Sequence, residues 1–209
     1  MVFVIESMKS QRWSSNVQFK PEEFTIQELS EKLNENQGKF MYCECLSERY
    51  LPIHTVTKLY IDRDVKREDC EFSDEEIQQD FEMCKAKLDA SFGECEWAIS
   101  QRHGYNCEKN TYCISWHFVC LDLFIHYPDT PHLLEQKGLG DIFDVAVYKS
   151  SEQMWQLPHC HKTPNDKRIL TPVNYVKSLH HHFIQCEKSP KVEDIIKVTF
   201  TEEESQRKR

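Results

Sequence analysis

Apolar and polar positions along the chain alternate between the helical and the strand period. Thr25-x-x-Glu28 is a capping box, and behind it Ile26, Leu29 and Leu33 share one helical stripe with Gly38 past the end. Ser73-x-x-Glu76 is a second capping box. Ile77, Phe81, Cys84 and Leu88 follow it at steps of four, three and four, which predicts an amphipathic helix ending near Gly93. Phe40 to Leu46 and Lys58 to Asp64 read as strands. Trp97 to Arg102 and Thr111 to Leu121 read as the two arms of a hairpin, joined by the polar loop His103 to Asn110. Leu123 to Lys137 is expected to be a helix or irregular crossover, Asp141 to Tyr148 a strand, Lys149 to Lys162 extended, and residues 1–20 irregular. Helices mixed with hairpins predict an α+β fold with an antiparallel or mixed sheet.

Length bounds the organisation. The 209 residues suit one domain with small appendages. The expected division is an N-terminal segment with one helix (1–38), a catalytic core (39–185) and a charged tail (186–209). Hydrophobic residues at 39% supply a core and exclude wholesale disorder. The longest apolar candidate, Phe118 to Ile125, is broken by Asp122 and is too short to span a membrane. Met1 to Glu6 lacks the basic start and apolar stretch of a signal peptide, so the expectation is a soluble intracellular chain. The net charge of −9 argues against a broad basic surface gripping duplex nucleic acid, and leaves room for an enzyme with one local positive pocket.

Ten cysteines occur without any C-x-x-C pair, so most are expected to be buried small hydrophobes. The alternative is a zinc site drawn from Cys160, His161, Cys186 and one of His180, His181 and His182.

Three short segments carry candidate chemistry. In Leu59-Tyr60-Ile61-Asp62-Arg63-Asp64 the strand period puts Asp62 and Asp64 on one face, with Cα atoms about 6.5 Å apart. Such a pair either holds a hard divalent cation or marks a strand end emerging into water. Ser115 and His117 share the face opposite Ile114, Trp116 and Phe118. They suit phosphate oxygens, and equally a satisfied buried network. Asp144 opens Asp144-Val145-Ala146-Val147-Tyr148, followed by Gln153, Gln156 and Lys162, with Asp141 as a second candidate carboxylate.

In this order, Asp62-x-Asp64, Ser115-x-His117 and Asp144 resemble the three motifs of the archaeo-eukaryotic primase superfamily. Within it, the likeness is to the branch of the PrimPol proteins and the primase domains of large DNA viruses. Ser100-Gln101-Arg102 resembles the strand that pairs with the second motif in that branch, and the likeness covers roughly residues 39–163. The resemblance implies a primase catalytic core. Asp62, Asp64 and Asp144 would be catalytic and would bind Mg2+ or Mn2+, while Ser115, His117 and Lys162 would hold the nucleoside triphosphate. It further implies a single-stranded DNA template and a helicase or other replication protein as partners, in a nucleus or at a viral replication site. Where the family carries two arginines before the lysine, Gln153 and Gln156 stand here, allowing one inserted residue. The alternatives are a catalytically weakened module of the same fold, binding at a replication origin, and a hydrolase using the same carboxylates on phosphodiesters.

Overall fold

The computed structural model describes residues 2–6, 22–47, 55–148, 152–166, 168–173, 178–186 and 188–200. It is a mixed α+β fold with two antiparallel sheets. Its strands are β1 (Val2–Glu6), β2 (Glu22–Phe24), β3 (Tyr42–Ser47), β4 (Val56–Arg67), β5 (Trp97–Gln101), β6 (Gly104–Asn106), β7 (Thr111–His126), β8 (Glu152–Gln156) and β9 (Thr171–Pro172). The helices are α1 (Ile26–Glu35), α2 (Asp74–Phe92) and α3 (Thr130–Gln136). The first sheet has the order β2-β1-β3-β8. The second has the order β4-β7-β5-β9, with β6 on β7.

Both long helices start where their capping boxes place them. The Glu28 N–H donates to Thr25 Oγ1 at 3.2 Å and the Thr25 N–H to Glu28 Oε2 at 2.9 Å. At α2 the reciprocal pair joins Ser73 and Glu76. Arg67 adds a guanidinium to Glu76, which holds that carboxyl down to about 2. Leu29 and Leu33 seat α1 against Val2, Val4, Tyr42, Leu157 and Phe183. Helix α2 covers one face of the second sheet, with the Phe81 ring 5.1 Å from Trp116.

The hairpin expectation extends further than its boundaries. β5 and β6 pair along β7 without a change of register, from Trp97–Cys120 to Gly104–Cys113. Four local expectations are corrected. Residues 2–6, expected to be irregular, form β1. The Leu123–Lys137 segment is strand as far as His126, because Phe124 and Ile125 pair with Lys58 and Thr57. Only then do Pro128 and Pro131 open a 3-10 turn and α3. Val145–Tyr148 is a 3-10 helix, not a strand, since Asp144 Oδ1 takes the Ala146 N–H at 2.9 Å and closes a turn. The extended stretch after it is strand only at β8, with a turn at His159, whose φ is 62°. Residues 149–151 lie outside the described residues.

Part of the segment expected as a charged tail packs against the second sheet. The Ile196 N–H donates to Phe124 O, and Ile196 and Val198 pack on the core; residues 201–209 lie outside the described residues. No described helix is long and apolar enough to cross a membrane.

Candidate functional site

Pairing of β4, β7 and β5 turns three separate segments into two polar rungs. Asp62 lies opposite His117 and His117 opposite Ser100. One rung along, Asp64 lies opposite Ser115, and the Arg102 N–H donates to Ser115 O. Directly opposed residues of an antiparallel sheet point to one face, so all six side chains share it. Asp62, Ser100, Arg102, Ser115 and His117 are buried there.

Asp144 arrives by a different route. β4 is an edge strand, and an open edge needs its backbone groups covered. The Asp144 N–H donates to Asp62 O at 2.8 Å, and the Tyr148 hydroxyl donates to Tyr60 O at 2.7 Å. The turn that covers the edge thereby sets Asp144 beside Asp62. Arg63 points the other way, donating to Asp80 of α2 at 2.6 Å and to Ile142 O at 2.5 Å, so one guanidinium ties the helix to the loop that carries Asp144.

The electrostatics follow from burial. Removal from water pushes the Asp62 carboxyl up to about 7; Lys162 and Arg102 pull it down, while Asp64 and Asp144 push it further up. Asp62 Oδ1 has no hydrogen-bond partner, and the nearest ring nitrogen, His117 Nε2, is 3.6 Å away. Burial, with Arg102 and Lys162 nearby, holds His117 well below the usual histidine range, so the ring is neutral at pH 7. The imidazole is stacked on Trp155 of β8 with ring centroids 4.0 Å apart.

The carboxylates are neighbours without yet forming a cage. Among the described residues, Asp62, Asp64 and Asp144 do not bring three oxygens within 4.8 Å of one another. Lys66 lies next along the same face and its ammonium pairs with Asp64 at 2.5 Å. The strand period that marks Asp62 and Asp64 also marks Lys66, so this residue was findable from the sequence. Arg102 was visible only as part of the Ser-x-Arg pattern. Trp155, His182, which bonds Ser100 at 2.9 Å, and Asp166, which Arg168 and Arg102 flank at 2.8 and 3.5 Å, carry no local signal.

Three sequence expectations land elsewhere. Gln156 is buried and donates to Cys160 O at 2.7 Å, which commits it to the backbone of its own turn. The Gln153 side chain lies outside the described residues. The zinc alternative is not assembled: Cys160 sits in the α1 core, where burial pushes its thiol up to about 12. Cys186 lies beside Lys58, and His182 is bonded to Ser100. Asp141, the second candidate carboxylate, is an exposed residue of the Leu139–Asp144 loop.

No protein-family model matches the chain, and no curated protein does.

Proposed function

We propose that the protein is a metal-dependent nucleotidyltransferase of DNA replication, a primase or primase-polymerase built on the primase core. The observation that carries this reading is the buried face on which Asp62 and Asp64 oppose His117 and Ser115, with Asp144 bonded to the Asp62 backbone.

Asp62, Asp64 and Asp144 fit Mg2+ or Mn2+ as a set of hard oxygen donors. The fit is strengthened by Asp62, a buried carboxylate with one unpartnered oxygen, since a bound cation relieves the cost of an ionised group in that position. When bound, such ions activate a 3′ hydroxyl and neutralise a leaving pyrophosphate. The chain's own residues do the rest. Arg102 and Lys162 bring positive charge to the same face and suit the triphosphate oxygens. His117, held neutral and stacked on Trp155, offers a ring donor in a fixed orientation. Ser115 adds a hydroxyl, and burial keeps competing water away.

A second reading, a weakened module that binds nucleotide without joining it, is favoured by one observation: Lys66 already neutralises Asp64. Template-dependent extension of a labelled primer with Mn2+ separates the two. The first reading expects extension that Asp62→Asn lowers by about 10²-fold or more. Binding of deoxynucleotide and Mn2+, read as a rise in melting temperature, without any extension selects the second. Neither binding nor extension overturns both.

A further inference from the structure

The opposite face of the second sheet carries a different cluster of ligating groups. We propose that Cys95, Cys120 and Asp122 form a binding site for a thiophilic divalent cation, Zn2+ by the chemistry of the donor set. The two sulfurs and a carboxylate oxygen lie within 4.8 Å of one another, the one such group of three among the described residues. Tetrahedral zinc with bonds of about 2.3 Å to sulfur and about 2.0–2.2 Å to oxygen needs ligand atoms roughly 3.3–3.8 Å apart, so small side-chain shifts complete the geometry.

The fold builds this cluster from three features. β7 bulges here, running from Val119 to Phe124 while β4 covers only Tyr60 to Lys58, and bulges re-aim side chains. The Leu121 N–H donates to Glu96 O, which brings the loop after α2 alongside the bulge. The Glu96 N–H donates to Asp122 Oδ2 at 2.7 Å, fixing the carboxylate and leaving it an oxygen to coordinate.

Burial pushes both thiols up, that of Cys120 to about 12, so binding a cation here would release two protons. The Cys95 thiol donates to Phe92 O at 3.3 Å, a bond it would give up on binding the cation. Cys95 borders a surface pocket lined by Lys85, Asp89, Gly93, Glu94 and Glu96, through which an ion and a fourth, water ligand can enter. Three protein ligands with an open fourth position follow from these contacts. Such an ion would pin the C-terminal end of α2 to the hairpin. The site is independent of the carboxylate face, because Cys120 and His117 lie three positions apart on β7 and face opposite sides.

The full chain, kept reduced, would be titrated with Co2+ as a spectroscopic probe and then with Zn2+ as competitor. The expected result is one cobalt per chain, with thiolate-to-cobalt charge transfer and the intense visible bands of a tetrahedral site, displaced by Zn2+. Cys95→Ser and Asp122→Asn, both at accessible positions, should each weaken binding by more than about tenfold, whereas Cys70→Ser should leave it unchanged. Zn2+ should raise the melting temperature of the parent chain and not that of Cys95→Ser. Absence of the charge-transfer band at stoichiometric cobalt overturns the proposal. So does a band of equal strength in Cys95→Ser, which would locate the metal on other cysteines.

Discussion

Asp62 and Lys66 carry opposite costs on one strand face. Asp62 is a buried carboxylate without a hydrogen bond on Oδ1, and its neighbours Asp64 and Asp144 are of like charge. Asp62→Asn removes the charge and keeps the volume. It is therefore expected to hold or raise the melting temperature at pH 7 while abolishing extension, measured on the same preparation. Lys66 competes with any cation for Asp64. Lys66→Ala should accordingly tighten Mn2+ binding several-fold in a calorimetric titration, and unchanged affinity would remove Asp64 from the cation site. Gln156 gives a contrary expectation. Its side chain is buried against Cys160 O, so Gln156→Arg buries a charge and lowers stability without tightening nucleotide binding.

At the scale of elements, what matters is how the edge of β4 is closed. The turn from Asp144 to Tyr148 supplies two hydrogen bonds to that edge, and Arg63 holds the preceding loop from the other side of the strand. Arg63→Met retains the packing of the stem and loses the bonds to Asp80 and Ile142 O. It should cost about 1.5–3 kcal/mol in denaturant unfolding, and amide exchange should quicken across residues 139–146. Protection unchanged in that loop would mean that the two bonds from the turn to the β4 edge position Asp144 without Arg63. The segment Asp141 to Tyr148 is expected from its sequence to be a strand. Among its described backbone groups Asp144 bonds to the β4 edge, and the Asp144 side chain then turns the backbone.

Across the whole molecule, the two sheets are joined by residues 180–185. Glu44 of the first sheet accepts the Ile184 and Gln185 N–H groups at 2.8 Å each. Lys58 of the second sheet donates to His180 O and His181 O at 3.2 Å, and the Gln185 side chain brackets Phe3 of β1. Burial pushes the Glu44 carboxyl up to about 7 from 4.5, against the hydrogen bonds and the Lys58 charge. A carboxyl raised on folding binds more protons in the native state between those values. Its contribution is therefore full below pH 4.5 and is lost as pH rises through about 7. Burial shifts Lys58 downward, and that group acts in the opposite sense on the alkaline side. Glu44→Gln should flatten the fall in melting temperature between pH 4.5 and 7. At acid pH, where the parent carboxyl is protonated and like the amide offers one carbonyl oxygen, the variant should match the parent within about 1 kcal/mol. A slope identical to that of the parent would exclude Glu44 as its origin. Trp155, which bridges the sheets by stacking on His117 and meeting Tyr60 edge-on at 4.8 Å, should cost about 3–5 kcal/mol on truncation to Ala, read in the same unfolding assay.

Sequence alone determined the features whose energy is local. The two capping boxes set the starts of α1 and α2 because donor and acceptor are three residues apart. The strand period set Asp62 beside Asp64 and Ser115 beside His117 because alternation is a property of the extended backbone itself. The hairpin was legible because its arms are close in sequence and its loop is polar. Tertiary structure decided the pairing of β4 with β7, which sets Asp62 opposite His117, and the turn that delivers Asp144. It also decided the approach of Trp155, the Glu44–Lys58 connection and the gathering of Cys95, Cys120 and Asp122. Each of these joins residues from different elements, or from the two sides of a bulge. Their juxtaposition depends on which edges pair and which faces bury, and no local period or spacing along the chain encodes that choice.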